Sequence, residues 1–404
     1  MDEVGRRPLS FTQSVVYGCG NFGANVVYSF LNGAAGLYLN RYPEVPTWAV
    51  GLLAQERSLA GAVVQPIVGA MSDRTRTRFG RRRPYFVLGV ALTAASLIYL
   101  AGFPPIIPML LVLSINAFFL NVAVDPYNAL LADLVPIDQR GRVGALLAIF
   151  NMLGQIAATV AALLLWDRSP ELVFLIVAVA LVVSFGITTI FIKEPEAPPR
   201  PSEPMGIDIG GYLRDLAGRR ALLLYIGAAA LYWMGTGGVL PYVTRFGVSV
   251  LGLSEGESFQ LILPALAGTI IAAVPAGYIA DRRGKKPVLA VGLLAYSVIA
   301  LVASQVTTLP QALIAMGVIG LANGVWTTLA MPLLVDLVPQ ERAAEMTGLG
   351  SAVWSLVQPI GAVFAGLLID SAGSYRASFI GAAVFIFLCF LLLLFVRAPA
   401  VRRA

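Results

Sequence analysis

Twelve stretches of about 20 mostly apolar residues, the length at which a helix crosses a hydrocarbon layer, dominate the chain. They lie near 14–39, 47–71, 84–103, 107–132, 142–165, 171–192, 221–246, 257–280, 287–304, 310–335, 344–369 and 375–397. Inside lipid a backbone must satisfy its own hydrogen bonds, so each run is expected to be a helix. Composition agrees: 58% of the 404 residues are hydrophobic and 12% charged, where a soluble domain carries roughly 25% charge. That leaves too little polar surface to clothe a water-soluble globule. A cytosolic enzyme, a disordered protein and a nucleic-acid binder are excluded, and an all-α membrane protein of twelve transmembrane helices is expected.

Charge placement sets the expected orientation. With the N-terminus inside, 23 of the 28 Lys and Arg residues fall in loops on one side, and three (Arg41, Arg168, Arg376) on the other. Basic residues concentrate in cytoplasmic loops, so both termini are expected in the cytoplasm. Residues 1–13 are short and polar and lead into a full-length apolar run without a cleavage site, which is not the pattern of a cleaved signal peptide. An alanine-rich composition with arginine far above lysine points to a GC-rich bacterium, and hence to its inner membrane. There is no histidine, so proton chemistry falls to carboxylates and imidazole metal sites are excluded. Cys19 and Cys389 lack ligand spacing and read as small core residues. No cofactor is expected.

The polar stretch 193–220, rich in Pro and charge, reads as a linker between an N-terminal bundle (1–192) and a C-terminal bundle (221–404). The halves repeat. Gly69-x-x-x-Asp73-Arg74, then Gly80-Arg-Arg-Arg-Pro84, recurs as Gly277-x-x-x-Asp281-Arg282, then Gly284-Lys-Lys-Pro287. Leu130-Leu-Ala-Asp133-Leu-Val-Pro with Arg140 recurs as Leu333-Leu-Val-Asp336-Leu-Val-Pro with Arg342. The pairs Asp133/Asp336, Gln155/Gln358 and Asp167/Asp370 share one offset, 203. Two parallel, pseudo-symmetric six-helix bundles around a central loop resemble the architecture of the major facilitator transporters.

The loop after the second run resembles that superfamily's loop signature, with a weaker copy after the eighth. The resemblance implies a cytoplasmic latch built from Gly69, Asp73, Arg74, Arg82, Asp133 and Arg140, and from Asp281, Arg282, Asp336 and Arg342. Physically, Asp73 can pair with arginine and with a neighbouring helix N-terminus, and Gly69 permits close approach. Exposed ion pairs are weak enough to break in every cycle. The run Arg81–Arg83 reads equally well as a positive-inside anchor, whereas Asp73 and Asp281 add nothing to orientation and read as gating.

Two narrower resemblances follow. Residues Gly61 to Asp73-Arg74, continued by Arg78-Phe-Gly-Arg-Arg-Arg-Pro84-Tyr85-Phe86, look like the sucrose/proton symporter group. Tyr17-Gly-Cys-Gly-Asn21-Phe22, Asn25, Leu37-Tyr-Leu-Asn40 and Arg57 are similar to the glycoside–pentoside–hexuronide:cation symporters. Both imply a sugar or glycoside moved with a cation. The departures matter too. Where the second family carries aspartates this chain has Asn25, Gly61 and Gln65, so its sodium site is not expected here. The sucrose-type Pro-x-Arg-Ala-Leu run is Pro126-Tyr-Asn128-Ala-Leu130, with Asp125 just before it, which counts against sucrose itself.

An ionisable residue inside a span marks a function by default. Glu56 and Arg57 lie roughly 14 Å into the second run at 1.5 Å per residue; they read either as a proton or substrate site or as a structural Glu–Arg lock. Asp125, one turn from Asn121, is the first choice for a protonatable coupling group. Asn21, Asn25, Tyr28 and Asn32 share a face of the first run. Asn121, Asp125 and Asn128 share one of the fourth, and Asn151 and Gln155 one of the fifth. Tyr232 and Trp233, Asn323 and Trp326, and Trp354 and Gln358 mark the seventh, tenth and eleventh. Amides donate and accept, and aromatic rings pack on the apolar face of a sugar; the same residue types also serve interhelical hydrogen bonding. The expectation is a monomeric carrier in the lipid bilayer that moves a sugar or glycoside by alternating access with protons. Its alternatives are an uncoupled or exporting carrier of a non-sugar amphiphile, and a transporter-like sensor without flux.

Overall fold

The computed structural model describes residues 9–39, 41–42, 44–136, 139–192, 194, 220–338 and 343–396, without the side chains of 56, 57, 62, 63, 66, 132 and 343–352. The expected linker, apart from Glu194 and Arg220, and Arg342 lie outside the described residues, as do the side chains of Glu56 and Arg57. All twelve apolar runs fall on helix, and no strand occurs among the described residues. The first half holds α1 (Phe11–Leu39), α2 (Thr47–Ala54), α3 (Glu56–Arg74), α4 (Arg83–Ala101), α5 (Ile106–Leu134), α6 (Arg140–Leu165) and α7 (Pro170–Phe191). The second holds α8 (Arg220–Gly237), α9 (Val243–Leu251), a short turn Glu255–Ser258, α10 (Ile262–Arg283), α11 (Lys285–Ala303), α12 (Leu309–Asp336), α13 (Ala343–Ala372) and α14 (Arg376–Phe395).

Two runs are broken where continuous helices are expected. The second divides at Gln55, whose side chain is buried and whose N–H reaches back to the Gly51 and Leu52 carbonyls. The seventh ends at Gly237 and resumes as α9 after a 3-10 turn, Leu240–Tyr242. Its cause is local: Gly237 and Gly238 are poor helix formers, and Pro241 has no N–H to give the ladder. Among the described residues nine helical stretches are long and apolar enough to cross a membrane. The stretches outside that set are α1, the α2–α3 pair and α8, which are among the runs whose polar and aromatic residues the sequence marks out.

The chain forms two compact units. The first comprises Met1–Tyr42, Glu56–Pro198 and Ser254–Phe259; the second comprises Pro43–Gln55, Pro199–Leu253 and Gln260–Ala404. In the first, α1 packs on α6 and α7, α4 on α5 and α7, and α3 on α5. In the second, α8 packs on α13 and α14, α11 on α12 and α14, and α10 on α12, the same pattern one repeat later. Both begin the α4 or α11 helix after a glycine of positive φ, Gly80 (107°) and Gly284 (89°). Residues 254–259 are tied into the first unit by Asp167, which accepts from Ser254 Oγ at 2.5 Å and Gly256 N at 2.7 Å. Trp166 Nε1 adds a bond to Glu255 Oε2 at 2.8 Å.

Apolar burial works in the direction a membrane requires. On α11, Val291, Leu294, Val298, Leu301 and Val302 are exposed, while Leu289, Leu293, Tyr296 and Ala300 are buried. An exposed apolar face of that length would be a liability in water and is the natural surface in lipid. With no hydrophobic drive between helices in lipid, close contact through small residues holds them together. Gly89 and Gly292, again 203 apart, do this in the two units. A Cβ on Gly89 would stand 2.6 Å from both Ala123 N and Phe119 O of α5, and one on Gly292 2.9 Å from Val325 of α12. Gly89→Leu is therefore expected to destabilise the protein by about 1–3 kcal/mol through overpacking, read as a lower thermal midpoint of the purified protein. Gly69→Leu, with nothing within 4 Å of its Cβ position, is the control. Equal midpoints for the two variants would show that α4 and α5 do not meet at Gly89.

Candidate functional site

At the basic end of the first unit, the loop between α3 and α4 folds into a charge network. Arg82 reaches Asp133 at 2.8 Å and Asp73 at 3.3 Å, and Arg81 reaches Asp133 at 2.5 Å and Asp73 at 3.6 Å. Arg82 Nη1 also donates to the Pro126 carbonyl at 3.2 Å. Burial pulls the Arg82 guanidinium below its ordinary pKa, and Asp133 is the main influence opposing that. The N-terminus of α4 is capped by Glu194, not by Asp73. Its carboxylate accepts the backbone N–H groups of Arg81 (2.7 Å), Arg82 (3.1 Å) and Arg83 (2.7 Å), where the helix dipole favours negative charge. Gly80 lies so close that a Cβ there would meet this carboxylate at 2.7 Å. Close approach thus belongs to Gly80; at Gly69 nothing lies within 4 Å of a Cβ.

The second unit repeats the arrangement with lysine. Lys285 Nζ pairs with Asp336 at 2.6 Å and donates to the Pro332 carbonyl at 3.4 Å, as Arg82 does to Asp133 and Pro126. Arg282 instead turns onto its own helix, bonding Tyr278 OH and lying 4.2 Å over that ring. Asp281 and Arg74 are exposed, and Arg140 Nε donates to Val135 O at 3.3 Å, within its own loop. Sequence reasoning missed three residues here. Glu194 was hidden in a Pro-rich stretch read as a linker, Arg81 in a run read equally as an anchor and as gating, and Lys285 behind Arg282. For Lys285, its place two residues ahead of Pro287, against Arg82 two ahead of Pro84, was the usable signal.

The two networks differ in burial, and that decides their energetics. The Arg82 and Asp133 side chains are 4% and 12% exposed, against 30% and 38% for Lys285 and Asp336. Breaking a buried pair costs about 3–5 kcal/mol, because an uncompensated charge stays behind; an exposed pair is worth about 0–1. Asp133→Asn should lower the thermal midpoint of the purified protein far more than Asp336→Asn. Equal shifts would show that Arg81 and Arg82 do not depend on Asp133.

The polar faces of the first unit carry their own hydrogen bonds. Asn21 Nδ2 donates to Leu147 O of α6 at 2.7 Å, joining two helices, and Asn25 Nδ2 donates back to Asn21 O at 2.8 Å. Asn32 donates to Tyr28 O at 3.0 Å, and buried Asn121 to Ala117 O at 2.9 Å. Gln155 Nε2 donates to Asn151 Oδ1 at 2.5 Å. Asn128 is exposed on α5. Asp125 has a buried Oδ2 and stands one turn beyond Asn121. A side chain at Gly61 of α3 would start 3.4 Å from both Asn121 Oδ1 and Gln65 Nε2. Gly61 of α3 therefore lies beside the turn that precedes Asp125.

The second unit is aromatic. Tyr232 stacks on Trp326 with centroids 4.1 Å apart and planes at 14°, and Trp233 meets Tyr232 edge-on at 5.7 Å. Trp233 and Trp354 lie 5.9 Å apart. Tyr232 OH donates to Asn323 Oδ1 at 2.5 Å, and Asn323 Nδ2 to Thr269 Oγ1 at 3.1 Å. Tyr225 OH donates to the Ala330 carbonyl at 2.5 Å. Gln358 on α13 packs against Gly237, where a Cβ would meet its side chain at 2.7 Å. The buried Nε1 atoms of Trp233 and Trp354 have no hydrogen-bond partner among the described residues. An unmet buried donor costs about 1–3 kcal/mol.

Known proteins give this arrangement a context. The chain is 28% identical over 166 residues to the general alpha-glucoside permease of Schizosaccharomyces pombe, covering 35% of this chain and 30% of that one. It is 25% identical over 290 residues to the multidrug resistance protein MdtG of Salmonella arizonae, 70% of each chain. The first curated relatives are thus matched over well under half of their length. The crystal structure of a D-xylose-proton symporter superposes with a TM-score of 0.72 at 16% identity, over 97% of this chain and 98% of that one, which shows a shared fold. Residues 16–395 match the model of the MFS/sugar transport protein family, and the chain belongs to that family.

Proposed function

We propose that this transporter moves a neutral sugar or glycoside by alternating access, in symport with protons, with Asp125 as the protonatable group. The observation that carries the reading is a carboxylate with a buried oxygen inside a membrane-spanning helix, one turn from a buried amide, in a family of sugar transporters. A carboxylate there is costly as an anion and is held for a purpose; without histidine, the proton has few other places to go. Glu56 and Arg57 on α3 complete the proposed ionisable set. Neutral amides on α1, α5 and α6 and the rings of α8, α12 and α13 suit a hydroxyl-bearing, ring-shaped solute. Two bundles, 1–192 and 221–404, joined by 193–220, would rock about the path as a monomer, with both termini in the cytoplasm of a bacterial inner membrane.

A second reading, an uncoupled or exporting carrier of a larger amphiphile, is favoured by the multidrug resistance relative, which is matched over 70% of its length. Proteoliposomes holding an internal pH dye separate the two. Adding mono- and disaccharides should produce solute uptake with internal acidification in the wild type, and Asp125→Asn should abolish the acidification. Uptake that is unchanged by the substitution and moves no proton overturns the symport claim. Absence of uptake for every sugar leaves the amphiphile carrier.

A further inference from the structure

The basic end of the second unit holds cations that its acids do not answer. In the first unit Arg81 and Arg82 are taken up by Asp73 and Asp133. In the second, Lys285 is taken up by Asp336, and Lys286 donates to the Leu394 carbonyl at 2.8 Å. Arg282 and Arg283, the last two residues of α10, are exposed, and neither meets a carboxylate within ion-pair distance among the described residues. With Asp281 beside them, the three residues leave one positive charge over.

Arg282 also has a fixed place. It bonds the Tyr278 hydroxyl one turn back and lies 4.2 Å over that ring. Tyr278 is 57% exposed, Val274 one turn before it 80%, and Ile271 is exposed as well. Residues 271, 274, 278 and 282 follow at spacings of three and four, which is one side of a helix. Within that stretch Gly277 has nothing within 4 Å of its Cβ position, so the surface carries a notch. An exposed apolar stripe is natural surface in hydrocarbon, and a tyrosine at its end marks the level where hydrocarbon gives way to headgroups. The guanidinium thus stands where a phospholipid carries its phosphate, and its planar fork matches that group with two parallel hydrogen bonds. We propose that Arg282, with Arg283 beside it, binds the phosphate of an anionic phospholipid whose acyl chain lies along Val274 and Gly277, with Tyr278 as the positioning residue. The charge left over selects the lipid. A phosphodiester with a neutral glycerol head brings the single negative charge that cancels it, whereas a choline or ethanolamine head brings its own cation.

The test measures lipid binding to the full chain, purified in detergent and stripped of lipid, by native mass spectrometry. Phosphatidylglycerol should bind more tightly than phosphatidylcholine or phosphatidylethanolamine with the same acyl chains. Arg282→Gln should weaken phosphatidylglycerol binding about tenfold, the loss of one charge-assisted hydrogen bond. Tyr278→Phe, which keeps the ring and frees the guanidinium, should weaken it by less. Arg76→Gln is the control: it removes the same charge from the loop of the first unit, where Arg76 donates to the Asp73 and Thr75 carbonyls, and should leave binding unchanged. Equal weakening by Arg76→Gln and Arg282→Gln would reduce the effect to bulk charge and overturn the site. Phosphatidylethanolamine that binds as tightly as phosphatidylglycerol would overturn the choice of an anionic lipid. Glycerol phosphate, a headgroup without chains, should not compete at equal concentration; full competition would make this a site for soluble phosphate and overturn the lipid.

Discussion

In hydrocarbon there is no water to accept a hydrogen bond, so each polar atom must find its partner within the protein, and this shapes the chain at every scale. The backbone answers it by being helical wherever it is apolar. Side chains answer it by reaching carbonyls one turn back, as Asn32, Asn121 and Thr159 do, or across a helix pair, as Asn21 does to Leu147. Tyr17 and Tyr127 show the rule in its tightest form: their rings stack at 4.7 Å, and each hydroxyl donates to the other residue's carbonyl, at 2.8 and 2.6 Å. The carbonyls of two prolines inside helices, Pro126 and Pro332, each accept from a cation, Arg82 and Lys285.

The repeat distributes one skeleton and two chemistries. Helix contacts recur in the same pattern, Gly89 and Gly292 make the same close approach, and Asp133 and Asp336 anchor the same kind of loop. On that common frame the first unit carries amides and a carboxylate on α1, α5 and α6, while the second carries Tyr and Trp on α8, α12 and α13. Backbone packing depends on small residues at fixed spacing and tolerates little change; residues that face a solute are free to diverge.

Much of this was legible in the sequence because its signals are local and repeated. Apolar length gave the helices, and the offset of 203 paired the halves residue by residue. Asp73, Asp133 and Arg82 could be assigned to one network through the resemblance of their loop to the superfamily signature, and Asp73 also because a carboxylate adds nothing to orientation. The misses share a cause as well. Glu194 meets three backbone N–H groups more than 110 residues before it in sequence, and a carboxylate in a Pro-rich stretch gives no hint of such a target. The breaks at Gln55 and Gly237 depend on packing and on two adjacent glycines, which a hydropathy run averages away.

Burial also says what the charge network of the first unit is for. Asp73, Arg81, Arg82, Asp133 and Glu194 all lie within one compact unit, tying the ends of α3, α4 and α5 to Glu194, three residues beyond α7. A contact that must open in each transport cycle should be weak and wet, as Lys285–Asp336 is; a guanidinium 4% exposed between two carboxylates is neither. Such a network keeps its own bundle stiff. Among the described residues, the two loops share a sequence pattern and differ in burial: the first is held by a buried charge network and the second by an exposed ion pair.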